Sequence, residues 1–249
     1  MLKEFRTKYP DGTWRKRASG GKRAFKKKKG NQCVFDALAA SQGFICAYCE
    51  IRIGRPDGPD VDGEVEHFVP QSTPPPPNYA LEFNNMVACC KGGTPHNARR
   101  REPVEEHKHC GALKAETHPK GQILDPRLLP PLPSVWTFSE AGVMSPDIKA
   151  CAEIGVEAEL AATTISQLGL DRPLLREARA VVRQALDDGI DPEWGEAEIV
   201  DYVKTVAESD LVPASSGHLS PFWSTVLHWC GRAGEAVVVE YWGNPGDAA

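Results

Sequence analysis

No run of about 18 apolar residues occurs in this chain, so the sequence offers no helix that could span a bilayer. No apolar stretch follows its basic start either, which excludes a secretory signal and points to a cytoplasmic protein. A G-x-x-x-x-G-K-[S/T] motif is missing, so any control by ATP must come from another protein. No internal repeat is visible. No βαβ pattern surrounds the one C-x2-C pair, which argues against a thioredoxin-like redox motif.

What is present is 249 residues, 41% hydrophobic and 25% charged, ordinary for one large globular domain or two small ones. Cysteine is plentiful, with eight residues. In a reducing compartment, clustered cysteines read as metal ligands before disulfides.

The net charge of −5 conceals an asymmetry. Residues 1–30 carry twelve Lys and Arg against two Asp and Glu, residues 31–120 nine against twelve, and residues 121–249 eight against twenty. A basic arm on an acidic body suits a polyanion at one end and a different partner at the other. Arg15, Lys16, Arg17, Lys26, Lys27, Lys28 and Lys29 are the expected nucleic-acid contacts.

The chain divides into three expected parts: the arm at 1–30, a zinc-binding domain at 31–125 and a helical, acidic, docking part at 126–249. An amphipathic helix is expected from Asn31 to Gly43, with Val34, Phe35, Leu38 and Ala39 on its apolar face. Arg55 to Gly63 is a Gly/Pro/Asp linker, and Pro74 to Pro77 is a stiff polyproline-like loop. Four further helices are expected. The first runs from about Ala158 to Leu168. The second is capped by Asp171, has Pro173 in its first turn, buries Leu174, Leu175, Ala178, Val181, Val182 and Leu186, and closes at Gly189. The last two run from about Pro192 to Glu208 and from about Pro221 to Arg232. Cys33, Cys151 and Cys230 are expected in the core.

Five of the eight Cys and five of the seven His fall within 44–120. Cys46-Ala47-Tyr48-Cys49 can grip one face of a tetrahedral Zn²⁺, and Cys90 with Cys110 can complete it. Cys89 is the rival of Cys90. Cys90 is preferred because Cys89 falls where an apolar residue would pack in a strand reading Met86-Val87-Ala88-Cys89. Structural zinc would hold a segment that has too little core of its own.

Between these cysteines lie Glu64-Val65-Glu66-His67-Phe68-Val69-Pro70-Gln71-Ser72 and Asn84-Asn85-Met86-Val87-Ala88-Cys89-Cys90. In this order of motifs the chain resembles the HNH nucleases of the ββα-metal class. Within that class it is most similar to the PtuB-like HNH subunit of retron-associated and Septu antiphage systems. The resemblance covers roughly 40–185 and rests on Cys46 to Glu50, Val65 to Phe68, Asn85 to Cys90 and His109-Cys110-Gly111-Ala112-Leu113-Lys114. It continues in Ile123 to Pro126, Phe138 to Gly142 and Thr164 to Arg179.

The resemblance implies an α+β fold: a small zinc-stabilised ββα-metal module embedded in a mainly α-helical protein. It implies a metal-dependent endonuclease. A neutral His67 would be the general base, and Glu66 would hold a catalytic Mg²⁺ or Mn²⁺. Asn85 would orient His67 or pin the proline loop, with Asn84 as the alternative, and Lys114 would meet a phosphate. Many HNH enzymes carry a metal ligand just after the last cysteine, where this chain has Gly111. His109 is the nearest substitute, ahead of His107 and His96. The implied partners are an SMC- or ABC-type ATPase (PtuA-like), a retron reverse transcriptase with its RNA and DNA, and a nucleic-acid substrate. Two other functions fit the residues alone: a zinc module that binds nucleic acid without cutting it, and a docking scaffold.

Overall fold

The computed structural model describes residues 28–54, 63–73, 79–80, 82–93, 105–114 and 122–243. Arg15, Lys16, Arg17, Lys26, Lys27, His96, the Arg55 to Asp62 linker and the Pro74 to Pro77 run lie outside the described residues. Of Lys28 and Lys29 only the backbone is described.

Helix α1 spans Lys28–Ser41 and starts earlier than the expected Asn31. Val34, Phe35, Leu38 and Ala39 are buried, as their spacing requires. Cys33 is exposed, contrary to expectation, because it falls on the opposite face of the helix from this stripe. Gly43 follows at φ 62°, and a Cβ there would sit 2.5 Å from the Leu219 side chain, so both backbone and space call for glycine.

Strand β1 (Gly63–His67) pairs antiparallel with β2 (Met86–Cys90), placing His67 opposite Met86 and Gly63 opposite Cys90. Helix α1 packs on this pair so closely that a Cβ at Gly63 would meet the Phe35 ring at 2.5 Å. Gln42 does the work of a third strand. Its Oε1 accepts from the Ala88 amide at 2.8 Å, and its Nε2 donates to the Ala88 carbonyl at 2.9 Å. The Ala88 carbonyl also accepts from the Ala47 amide at 3.1 Å, so a side chain and the cysteine-bearing turn together cover this edge.

After β2 comes α2, a single turn over Gly111–Lys114. A hairpin follows, β3 (Trp136–Phe138) with β4 (Met144–Pro146). Then come α3 (Ile148–Glu153), α4 (Ala158–Gln167), α5 (Pro173–Asp188), α6 (Glu196–Asp210) and α7 (Trp223–Trp242). The described residues therefore form a mixed helix-and-sheet protein with two small antiparallel sheets.

Several helix ends differ from expectation. Asp171 does not cap α5: the N-cap is Arg172, with no side-chain cap bond. A stronger claim takes Asp171, which accepts from the Met144 amide at 3.0 Å and pairs with Arg176 and Arg179. Arg179 is buried and donates to the Gly142 carbonyl at 2.8 Å and the Leu170 carbonyl at 2.9 Å. A buried guanidinium needs a carboxylate more than a helix end does. Leu174 and Val181, expected inside, are exposed at the edges of the α5 stripe, while Leu175 is buried. Helix α6 starts at Glu196 rather than Pro192, where the Glu198 carboxylate accepts from the Gly195 amide at 2.9 Å. Helix α7 breaks at Gly231 (φ 53°, ψ −133°), next to its expected end at Arg232, and then resumes to Trp242. Cys151 and Cys230 are buried as expected.

One core joins α1, β1 and β2 to Leu168, Leu170, Leu175 and Phe222, and a second joins α6 to α7.

The Asp171 carboxyl is held below its ordinary value. Burial opposes this, but the bonds from Arg176 and the Met144 amide, with the charges of Arg176 and Arg179, outweigh it. A depressed carboxyl pKa contributes stability above the unfolded value of about 3.9, and that stability is lost as pH falls toward the folded value. Asp171→Asn is therefore expected to lower the melting temperature at pH 7, with the gap to wild type closing toward pH 3. Thermal scans across that range check it, and a gap independent of pH would contradict it.

Candidate metal centre and histidine site

Cys46 and Cys49 sit on a tight turn that closes on itself. Ile45 bridges Arg52, the Cys46 amide donates to the Ile51 carbonyl at 2.9 Å, and the Glu50 amide donates to the Cys46 carbonyl at 3.0 Å. Glu50 leaves this knuckle at φ 60°. Its carboxylate accepts from both the amide (2.9 Å) and the hydroxyl of Ser224, in the first turn of α7. The N-cap of α7, Phe222, offers no side-chain oxygen, so Glu50 supplies the missing acceptor from 174 residues away.

The knuckle presents its thiols to the end of β2 and the start of α2. The Cys46 sulfur lies 3.8 Å from that of Cys89 and 3.9 Å from that of Cys110, and the Cys49 and Cys90 sulfurs are 3.7 Å apart. All five cysteines are buried. The structure thus brings together the four expected cysteines and adds Cys89, which was expected to pack as an apolar residue. Both members of the Cys89-Cys90 pair reach the cluster where β2 ends, just before Gly92 and Gly93 turn the chain at positive φ.

His109 joins them. Expected beside Glu66, its ring instead comes within 4.8 Å of the Cys49, Cys90 and Cys110 sulfurs. Its Nδ1 is 2.8 Å from the His107 carbonyl. A carbonyl only accepts, so Nδ1 carries the proton and Nε2 presents a lone pair. That Nε2 is buried with no hydrogen-bond partner.

This donor set suits zinc. Four sulfurs at about 2.3 Å around one tetrahedral ion stand about 3.8 Å from each other, the spacing seen here. The Cys90 thiol is held far below its ordinary value, chiefly by the Cys110 thiol and then by Cys46 and Cys49. Burial pushes Cys49 and Cys110 up. The Cys46 thiol is also held below its ordinary value, against its burial, by its contacts with Cys110, Cys49 and Cys89. Burial and thiol–thiol contact thus pull the cluster in opposite directions, a conflict that a bound cation removes.

Glu66 and His67 are neighbours on β1, and their side chains take separate partners. The Glu66 carboxylate receives the Lys114 ammonium at 2.6 Å. That ammonium also donates to the His67 carbonyl at 3.0 Å, and Lys114 is buried. A Cβ on Gly111 would lie 3.2 Å from Glu66 Oε2, so the glycine keeps that side of the carboxylate clear of a side chain.

The His67 ring is buried under the loop that follows β1. Gln71 Nε2 lies 3.0 Å from its Nδ1, and the Ala80 carbonyl lies 3.3 Å from its Nε2. An amide nitrogen only donates, so Nδ1 accepts and the proton sits on Nε2. Asn85 pins the same loop at both ends. It bonds the Val69 amide and carbonyl, each at 2.8 Å, and the Tyr79 carbonyl at 3.1 Å. These bonds run to residues on either side of the Pro74 to Pro77 run. Gln71 is the contact that sequence reading missed. Its position four residues beyond His67 was the available signal.

No family model matches the chain. Over 181 residues it is 30% identical to a protein of Escherichia coli named "Retron Ec83 putative HNH endonuclease", an alignment covering 67% of this chain. The chain is thus similar to a retron protein named as an HNH endonuclease. It spans 66% of that relative's length, just under two thirds. No helix among the described residues is long and apolar enough to cross a membrane.

Lys114 is a buried ion-pair partner within the described residues. Its side chain is 3% exposed and that of Glu66 17%. Removing one member of a buried pair costs about 3–5 kcal/mol, because the other charge is left unmatched. Lys114→Met is expected to lower stability on that scale, and Lys114→Met with Glu66→Leu to recover much of it. Denaturant titration of both variants checks this, and a single variant as stable as wild type would contradict it.

Proposed function

We propose that this protein hydrolyses phosphodiester bonds of nucleic acid as the effector of a retron-linked antiphage system, with His67 as general base. The observation that supports this most is the state of the His67 ring. Its Nε2 faces the Ala80 carbonyl at 3.3 Å, and its Nδ1 faces the Gln71 side-chain amide at 3.0 Å. An imidazole with one nitrogen held by a carbonyl can offer the other for proton abstraction from water.

Glu66 is the proposed ligand of a divalent ion. Its carboxylate suits Mg²⁺ or Mn²⁺, which when bound would stabilise the charge developing on the phosphate. Asn85 acts as a positioning residue by fixing the loop that carries Gln71 and Ala80. Lys114 holds the carboxylate in place by its Oε1, and His109 belongs to the thiol centre rather than to this site. The thiol centre holds structural zinc, and β1, β2 and α2 form the ββα unit of the HNH reading.

The relative's name supports the retron setting, which brings with it a reverse transcriptase and its RNA and DNA. The SMC- or ABC-type ATPase partner rests on the PtuB-like resemblance. The acidic residues 121–249 suit docking to such a partner.

His67→Ala is expected to lower cleavage of plasmid DNA or tRNA by about 10²–10⁴-fold in the presence of the ATPase, with zinc content and circular dichroism retained. Cleavage at the wild-type rate would make this a binding module. Neutralising Lys26 to Lys29 is expected to weaken nucleic-acid binding and flatten its salt dependence. Affinity measured from low to high salt checks that, and an unchanged slope would remove the arm from the interface.

A further inference from the structure

We infer that the thiol centre holds two zinc ions, in two four-ligand sites that share Cys90 and Cys110. The inference rests on the structural-zinc reading and extends it. Six donors converge on this place: Cys46, Cys49, Cys89, Cys90, Cys110 and His109. One tetrahedral zinc takes four and leaves two buried donors idle.

The geometry divides the six in a definite way. Cys46, Cys89, Cys90 and Cys110 form one set in which every ligand atom lies within 4.8 Å of every other. Cys49, Cys90, His109 and Cys110 form a second. Cys90 and Cys110 belong to both, so the sets are two tetrahedra with a common edge. Cys46 and Cys89 are the outer pair of one, and Cys49 and His109 are the outer pair of the other. The 3.8 and 3.9 Å sulfur spacings belong to the first set and the 3.7 Å spacing to the second, and each matches a tetrahedral edge.

His109 is the second, independent pointer. Its Nδ1–H is engaged by the His107 carbonyl, and its buried Nε2 lone pair has no hydrogen-bond partner. A backbone carbonyl fixing one ring nitrogen while the other is left bare is the arrangement found at metal-bound histidines. A thiolate shared by two ions is an ordinary zinc ligand, so no oxidant or inorganic sulfide is required.

The test uses the full chain, purified with zinc supplied. Native mass spectrometry and elemental analysis are expected to give two zinc ions per chain. One zinc would overturn the inference and leave structural zinc standing. None, or iron in place of zinc, would overturn both. With ¹¹³Cd substituted, two resonances coupled to each other through the shared thiolates are expected, and a single resonance contradicts the proposal. Cys89→Ser and His109→Asn are each expected to lose one ion of the two. If either variant fails to fold, the cadmium spectrum of the wild type still decides.

Discussion

The crowding of five thiols and one imidazole into a single buried place is the constraint on which this structure depends. Without a cation, those sulfurs are an unfavourable core. Their polar atoms have few partners besides one another, and burial resists ionisation of Cys49 and Cys110. With a cation, the same convergence joins three separate pieces of chain, the knuckle at 46–49, the end of β2 and the start of α2. These pieces have little regular structure of their own. Zinc modules of this kind gain folding free energy on the order of 10 kcal/mol from the ion. That is enough to decide whether this half of the molecule is ordered.

The histidine site is a dependent of that centre. Helix α2 begins immediately after Cys110, so the thiols fix where Lys114 starts from, and Lys114 fixes the Glu66 carboxylate and the His67 carbonyl. Strand β2 ends in Cys89 and Cys90, so the thiols also fix the register that sets His67 opposite Met86. The loop carrying Gln71 and Ala80 is then tied down by Asn85, just ahead of β2. Positions that matter to chemistry within about half an ångström are set by anchors several residues away.

Much of this was legible in the sequence where the signal is local. The C-x2-C spacing, the apolar stripe of α1 and the Glu66-His67 to Asn85 order all act over short distances or carry strong chemistry. What escaped was set by distant partners. Cys89 looks like a strand hydrophobe until Cys46 is brought against it from 43 residues away. Asp171 has every feature of a helix cap, and loses that role only because Arg179 and Arg176 compete for it. His109 could serve either centre by sequence, and its ring direction is decided by the His107 carbonyl. Gln42 supports the β2 edge from 46 residues away, a role that nothing in its own neighbourhood announces.

The Glu50 to Ser224 clasp has a consequence for how the two ends of the chain report on each other. Helix α7 has no capping oxygen of its own and borrows one from the knuckle, whose shape is dictated by the two cysteines it carries. The first turn of α7 is therefore a remote gauge of the sulfur centre. When the knuckle loosens, the Ser224 amide loses its acceptor and opens to exchange with solvent. A disturbance at the metal centre is then felt at the base of α7, beside the packed pair that α7 makes with α6.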